Sequence, residues 1–142
     1  LLGMKQYPIK GYSVMMWCGR MIYRAENKDN IDRYMQTYAG KESLTHETIH
    51  LRQAQVIGSW VKYYWRYFVE WVKGTPICHP ASSAYYTISY EMEAYANEGN
   101  PDYLVNYNGN DLSRYKIKGG RKKLYKSVGG TSKAWKTYIR TL

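Results

Sequence analysis

The chain has 142 residues, enough for one hydrophobic core but not for two. No apolar run reaches the roughly 18 residues of a membrane span, and the opening LLGMKQYPIKGY has too short an apolar stretch for a secretory signal. Residues 1–111 balance their acidic and basic side chains, so the whole net charge of +10 falls in 112–142, which read as a basic arm on a neutral body.

Taken in order, Tyr7 to Arg24 mixes β-branched, aromatic and Met residues between glycines, and predicts short strands at Tyr12–Trp17 and Met21–Arg24. ENKDN, residues 26–30, reads as a polar turn, followed by a short helix Ile31–Tyr38 that Gly40 ends. A long helix is expected from Ser43, a suitable N-cap, through HETIHLRQAQVIG, with Gly58 a point of kink or break. Beyond it, SWVKYYWRYFVEWVK carries Lys62, Arg66, Glu70 and Lys73 as one polar stripe on an aromatic helix. That helix suits either a core-facing role or a membrane interface. TPICHP is a connector, and a third helix should run from Ser82–Ser83 to Gly99.

The arm holds a ten-residue repeat: YKIKGGRKKL (115–124) aligns with YKSVGGTSKA (125–134), and Trp135 begins a third copy. Its glycine pairs fit hairpin turns, and its composition also fits a disordered arm. Cys18 and Cys78 make no disulfide framework and are read as free thiols. The abundance of Tyr (17) and Trp (5) over Phe (1) implies either a core with wet edges or an aromatic surface for a partner.

The chemistry concentrates in T-H-E-T-I-H. His46 and His50 lie one helical turn apart on one face, a spacing that lets both imidazoles bind one tetrahedral zinc ion. Glu47 projects about 100° further round, near the metal without being forced to ligate it. There it can act as general base toward a zinc-activated water and general acid toward a leaving amine. A catalytic zinc needs three protein ligands, and Y-E-M-E-A-Y-A-N (90–97) offers a carboxylate on the next helix. Arg52 and Gln53 read as supporting or surface groups, and Tyr86, Tyr90 and His79 as candidates to stabilise an oxyanion.

HETIH followed by EMEAY resembles the gluzincin branch of zinc metallopeptidases. The resemblance implies Glu91 as third ligand, opening an E-x-x-A-D-like motif with Ala94 at its small position. Tyr95 stands where the family often has an Asp that orients a ligating histidine. Glu93 is the alternative ligand, and the two glutamates point to roughly opposite sides of a helix. The stretch from about residue 7 to 104 also resembles small zincin-like HExxH proteins of bacteria and their phages. The implied fold is α+β and mostly helical: a short N-terminal strand unit, the HExxH helix and a third-ligand helix, with residues 112–142 outside it. The implied activity is hydrolysis of a peptide or protein substrate with one Zn2+ ion, in the cytoplasm or a phage particle.

Two rival readings accompany the peptidase. One is a structural or interaction protein on a zincin-like fold. The other is a nucleic-acid-binding module in which zinc only stabilises the fold. Ten cations interleaved with Tyr115, Tyr125, Trp135 and Tyr138 suit phosphates and bases, an acidic protein or anionic lipid.

Overall fold

The computed structural model describes residues 2–4, 14–24, 28–74, 81–117 and 120–142. It is α+β and mostly helical, as expected. A small sheet is formed by β1 (Leu2–Met4), β2 (Val14–Trp17) and β3 (Arg20–Arg24), in the order β1-β3-β2. β2 and β3 form an antiparallel hairpin in which Trp17 pairs with Arg20. Its two-residue turn places both Cys18 (φ 47°) and Gly19 (φ 80°) in the left-handed region, the geometry that matches strand twist in tight hairpins. β1 adds to β3 in parallel, a strand not anticipated from the sequence. Cys18 is an exposed free thiol, and Cys78 and His79 lie outside the described residues.

The helices follow. α1 spans Lys28–Gln36 and so takes in three of the five residues of the expected polar turn. α2 spans Tyr38–Ile57, starting five residues before Ser43 because Thr37 caps it, accepting a hydrogen bond from the Gly40 amide at 3.1 Å. α1 and α2 meet so closely at Gly40 that a Cβ there would lie 2.0 Å from the Tyr34 carbonyl oxygen. Gly58 ends α2 in the left-handed conformation, its amide shared by the carbonyls of Ala54 and Gln55. A separate helix, α3 (Trp60–Gly74), then begins.

The expected third helix is two: α4 (Ala81–Tyr86) and α5 (Ser89–Asn97). The break falls at the β-branched pair Thr87–Ile88, where the Thr87 hydroxyl donates back to the Ala84 carbonyl and Ile88 takes extended geometry. Glu70 of α3 caps the new helix, its carboxylate accepting from both the amide and the hydroxyl of Ser89 at 2.8 Å. Glu70 therefore leaves the polar stripe that the sequence suggested, while Lys62, Arg66 and Lys73 stay exposed. Two 3-10 turns, Pro101–Leu104 and Asn110–Tyr115, lead to α6 (Arg121–Ser127) and α7 (Ser132–Ile139).

The expected hairpins or disordered arm after residue 111 are thus replaced by helices, and the ten-residue repeat shows why. Its aromatic positions Tyr115, Tyr125 and Trp135 are all buried and form a core cluster with Met92 of α5 and Ile139. Gly120 precedes α6, and Gly129 and Gly130 join α6 to α7, so the glycines turn the chain between helices rather than strands. A second cluster, Ala54, Tyr63, Ile88 and Tyr90, packs α2 and α3 against α5. Among the described residues no helix is long and apolar enough to cross a membrane.

Trp135 is fully buried, and its indole N–H donates to the Tyr86 carbonyl at 2.6 Å. Trp135→Ala is expected to cost about 3–5 kcal/mol, measured by urea denaturation. A loss below about 1 kcal/mol would mean that residues after 111 are not part of the core.

Candidate metal centre

α2 projects His46 and His50 from one face, and α5 packs across that face with Glu91 turned inward. Among the described residues these three form a buried group able to hold a metal ion. The Nε2 atoms of His46 and His50 are 3.2 Å apart. Glu91 places Oε2 3.3 Å from His46 Nε2 and Oε1 3.4 Å from His50 Nε2. Ligands bonded at about 2.0–2.1 Å to one tetrahedral ion are separated by about 3.3–3.4 Å. The three side chains therefore already stand at the spacing that one such ion requires.

The hydrogen bonds around them support the same conclusion. His46 Nδ1 is 3.0 Å from Glu98 Oε2, and His50 Nδ1 is 2.9 Å from Gln53 Oε1 and 3.1 Å from the Tyr63 hydroxyl. Acceptors at both Nδ1 atoms favour the tautomers that carry the proton there, which turns both Nε2 lone pairs toward each other and toward Glu91. The Tyr67 hydroxyl donates to Glu91 Oε1 at 2.6 Å, whereas Oε2 is buried and accepts no hydrogen bond. An unpaired buried carboxylate oxygen facing two imidazole lone pairs is a costly arrangement. A cation shared among them relieves it, and two imidazoles with a carboxylate are a donor set that suits zinc and its first-row neighbours.

With protons as the only cations, the same demand appears in the titration of the groups. Burial disfavours charged His46, yet the Glu91 and Glu98 carboxylates outweigh burial and raise its pKa to about 9. His50 is raised against burial by Glu91 in the same way. Burial pushes Glu91 up, but the two histidines hold it well below the usual carboxylate range.

Glu47 is half-buried beside this group, and burial raises its carboxyl while the charges of His50 and His46 pull it down. Glu93, the alternative ligand, faces away. It is fully buried and accepts from Gln53 Nε2 at 2.7 Å, Tyr103 at 2.8 Å and Tyr107 at 3.2 Å. Gln53, read as a supporting or surface group, is a buried bridge from Glu93 to His50 and also donates to the Tyr90 carbonyl.

Several groups were not foreseen. Tyr63 and Tyr67, four residues apart on the inner face of α3, bring the hydroxyls that touch His50 and Glu91. Tyr90 serves instead as core, and Tyr86 packs on Tyr85 and Tyr95. Tyr95 lays its ring edge-on to His46 with centroids 4.5 Å apart, and Glu98 supplies the carboxylate that the sequence sought at position 95. The signal was there: Glu98 lies seven residues after Glu91, two turns along the same helical face. Comparison with protein-family models, curated proteins and solved structures finds no match.

One equivalent of zinc should raise the unfolding midpoint of the wild type; a free concentration of 100 times Kd adds about 2.7 kcal/mol. The Glu91→Gln variant should lose this response and Glu93→Gln should keep it, as read by thermal melts with and without zinc. A response that survives Glu91→Gln would remove Glu91 from the site.

Proposed function

We propose that this chain is a zinc-dependent peptidase of the gluzincin type, with His46, His50 and Glu91 as ligands and Glu47 as general base and acid. The observation that carries the reading is the company of the three ligands. A purely structural zinc site is normally closed by four protein ligands. Among the described residues the buried group has three, and Glu47, beside them, is a carboxylate outside that group.

When bound, zinc supplies a Lewis acid that polarises a carbonyl and brings the pKa of a water to about 7. The chain's own residues supply the rest. Gln53, Tyr63 and Glu98 fix the rings of His50 and His46, and Tyr67 fixes the Glu91 carboxylate. Glu47 takes a proton on a carboxylate oxygen and returns it to the departing amine. Its partial burial suits that exchange, because burial brings a carboxyl closer to the working pH. The zincin-like arrangement fits the sheet hairpin β2–β3 lying against α2 and the third ligand arriving from α5.

Zinc-loaded wild type should hydrolyse members of a mixed peptide library, scored by mass spectrometry. Glu47→Gln should bind zinc equally and lose about 10²–10⁴-fold in rate. Full activity in zinc-loaded Glu47→Gln, or none in the wild type, would sink the peptidase.

A second reading, an interaction protein on the same fold, is favoured by one observation. Lys116, Lys122, Lys123, Lys126 and Lys133 are exposed around the C-terminal helices. Tyr115, Tyr125 and Trp135 are buried and cannot stack on bases, which leaves these cations and the half-buried Tyr138 to meet an anionic partner. Replacing Lys122, Lys123 and Lys126 by Glu should then abolish retention on a polyanion at low salt. Unchanged retention removes this reading.

A further inference from the structure

We infer that Arg140 is a positioning residue for the metal centre, so that α7 of the basic C-terminal segment acts as a clamp on His46. The inference rests on the metal-binding part of the reading above and not on peptidase activity.

The Glu98 carboxylate is divided between two partners. Oε2 sits 3.0 Å from His46 Nδ1, and Oε1 accepts from Arg140 Nη2 at 3.0 Å. Glu98 is mostly buried, its side chain 11% exposed, and Arg140 is the only Lys or Arg that pairs with it among the described residues. The same guanidinium donates through Nε to the Tyr95 carbonyl at 3.4 Å. It thereby ties together the residue that accepts from His46 and the residue whose ring packs on it. A second basic side chain reaches the same residue: Lys136 Nζ of α7 lies 4.2 Å from the Tyr95 ring centroid. Both neighbours of the His46 imidazole, the Glu98 carboxylate at Nδ1 and the Tyr95 ring, are therefore held by side chains of α7 and its C-cap.

α7 is fit to act as a fixed support. Trp135 and Ile139 are buried in the core cluster, and Arg140 follows directly at the helix end. An ion pair on the surface contributes little, because two mobile side chains must be held in one geometry. This pair differs: one partner is a buried carboxylate that already orients a metal ligand, and losing such an outer partner typically weakens metal affinity 10–100-fold.

The test is a zinc affinity measured by competition with a chromophoric chelator, on the full chain, with cobalt substitution as a spectroscopic check. Arg140 is 46% exposed, so Arg140→Met leaves the core intact. Lys133→Met, on an exposed position of the same helix, is the control. We expect Arg140→Met to bind zinc more weakly with an altered cobalt d–d spectrum, by less than the about 10–100-fold that losing Glu98 itself would cost, and Lys133→Met to match the wild type. We also expect Arg140→Met to cost less once Glu98 is Gln. Wild-type affinity in Arg140→Met overturns the proposal, and so does an equal loss in the Glu98→Gln background. A wild type that takes up no zinc instead overturns the metal centre itself.

Discussion

Two imidazole nitrogens with their lone pairs facing each other at 3.2 Å, under a carboxylate oxygen with no hydrogen-bond donor, are an electrostatic demand that the rest of the fold is arranged around. Such a cluster lies in the protein interior only if a cation is shared among its members, and only if each member is kept from rotating away. The first condition points to a metal ion or a tightly held proton. The second accounts for much of the polar wiring: every outward-facing atom of the cluster is engaged by Glu98, Gln53, Tyr63 or Tyr67. α2 brings the histidines, α5 the carboxylate, α3 two phenols, and α7 reaches the cluster through Arg140.

The same demand makes sense of the excess of Tyr over Phe. A phenol can bury its ring and still donate one hydrogen bond without adding a charge. Buried carboxylates need such donors, and here they receive them: Tyr67 serves Glu91, while Tyr103 and Tyr107 serve Glu93. Phe at 67 or 103 would bury the same ring and take away the hydroxyl that serves Glu91 Oε1 or Glu93 Oε1. The wet-edged core inferred from composition is thus the relevant alternative for these residues. Trp17, stacked on Tyr64 but 55% exposed, is a reminder that the sheet side retains an aromatic surface.

Much of the buried group was legible in the sequence because it depends on local periodicity. The pairing of His46 with His50 follows from helical spacing, and so does the rule that only one of Glu91 and Glu93 can face them; Glu91 was the choice implied by the resemblance, and the structure brings His46, His50 and Glu91 together. What was not legible depends on contacts between distant segments. Tyr63, Tyr67 and Arg140 carry no motif, and their roles arise only from how α3 and α7 pack. Helix ends were displaced by caps that compete with one another, Thr37 against Ser43, and by Glu70 reaching Ser89 across nineteen residues. The C-terminal segment departs from its expected form for a physical reason as well. Its charge suggests an arm, whereas its fold is set by three aromatic side chains spaced ten apart, too far for either helical or strand periodicity to register.

The pairing of Glu98 with Arg140 spans 42 residues of chain. At a synthesis rate of about 5–20 residues per second, Arg140 is made about 2–8 s after Glu98, and later still after His46, His50 and Glu91. A nascent chain therefore holds the whole buried His46–His50–Glu91 group before it holds the residue that pairs with Glu98. Until α7 docks, the Glu98 carboxylate beside His46 is without that guanidinium. The order of the residues along the chain thus sets an interval during biosynthesis in which the group is complete but its outer ion pair is not.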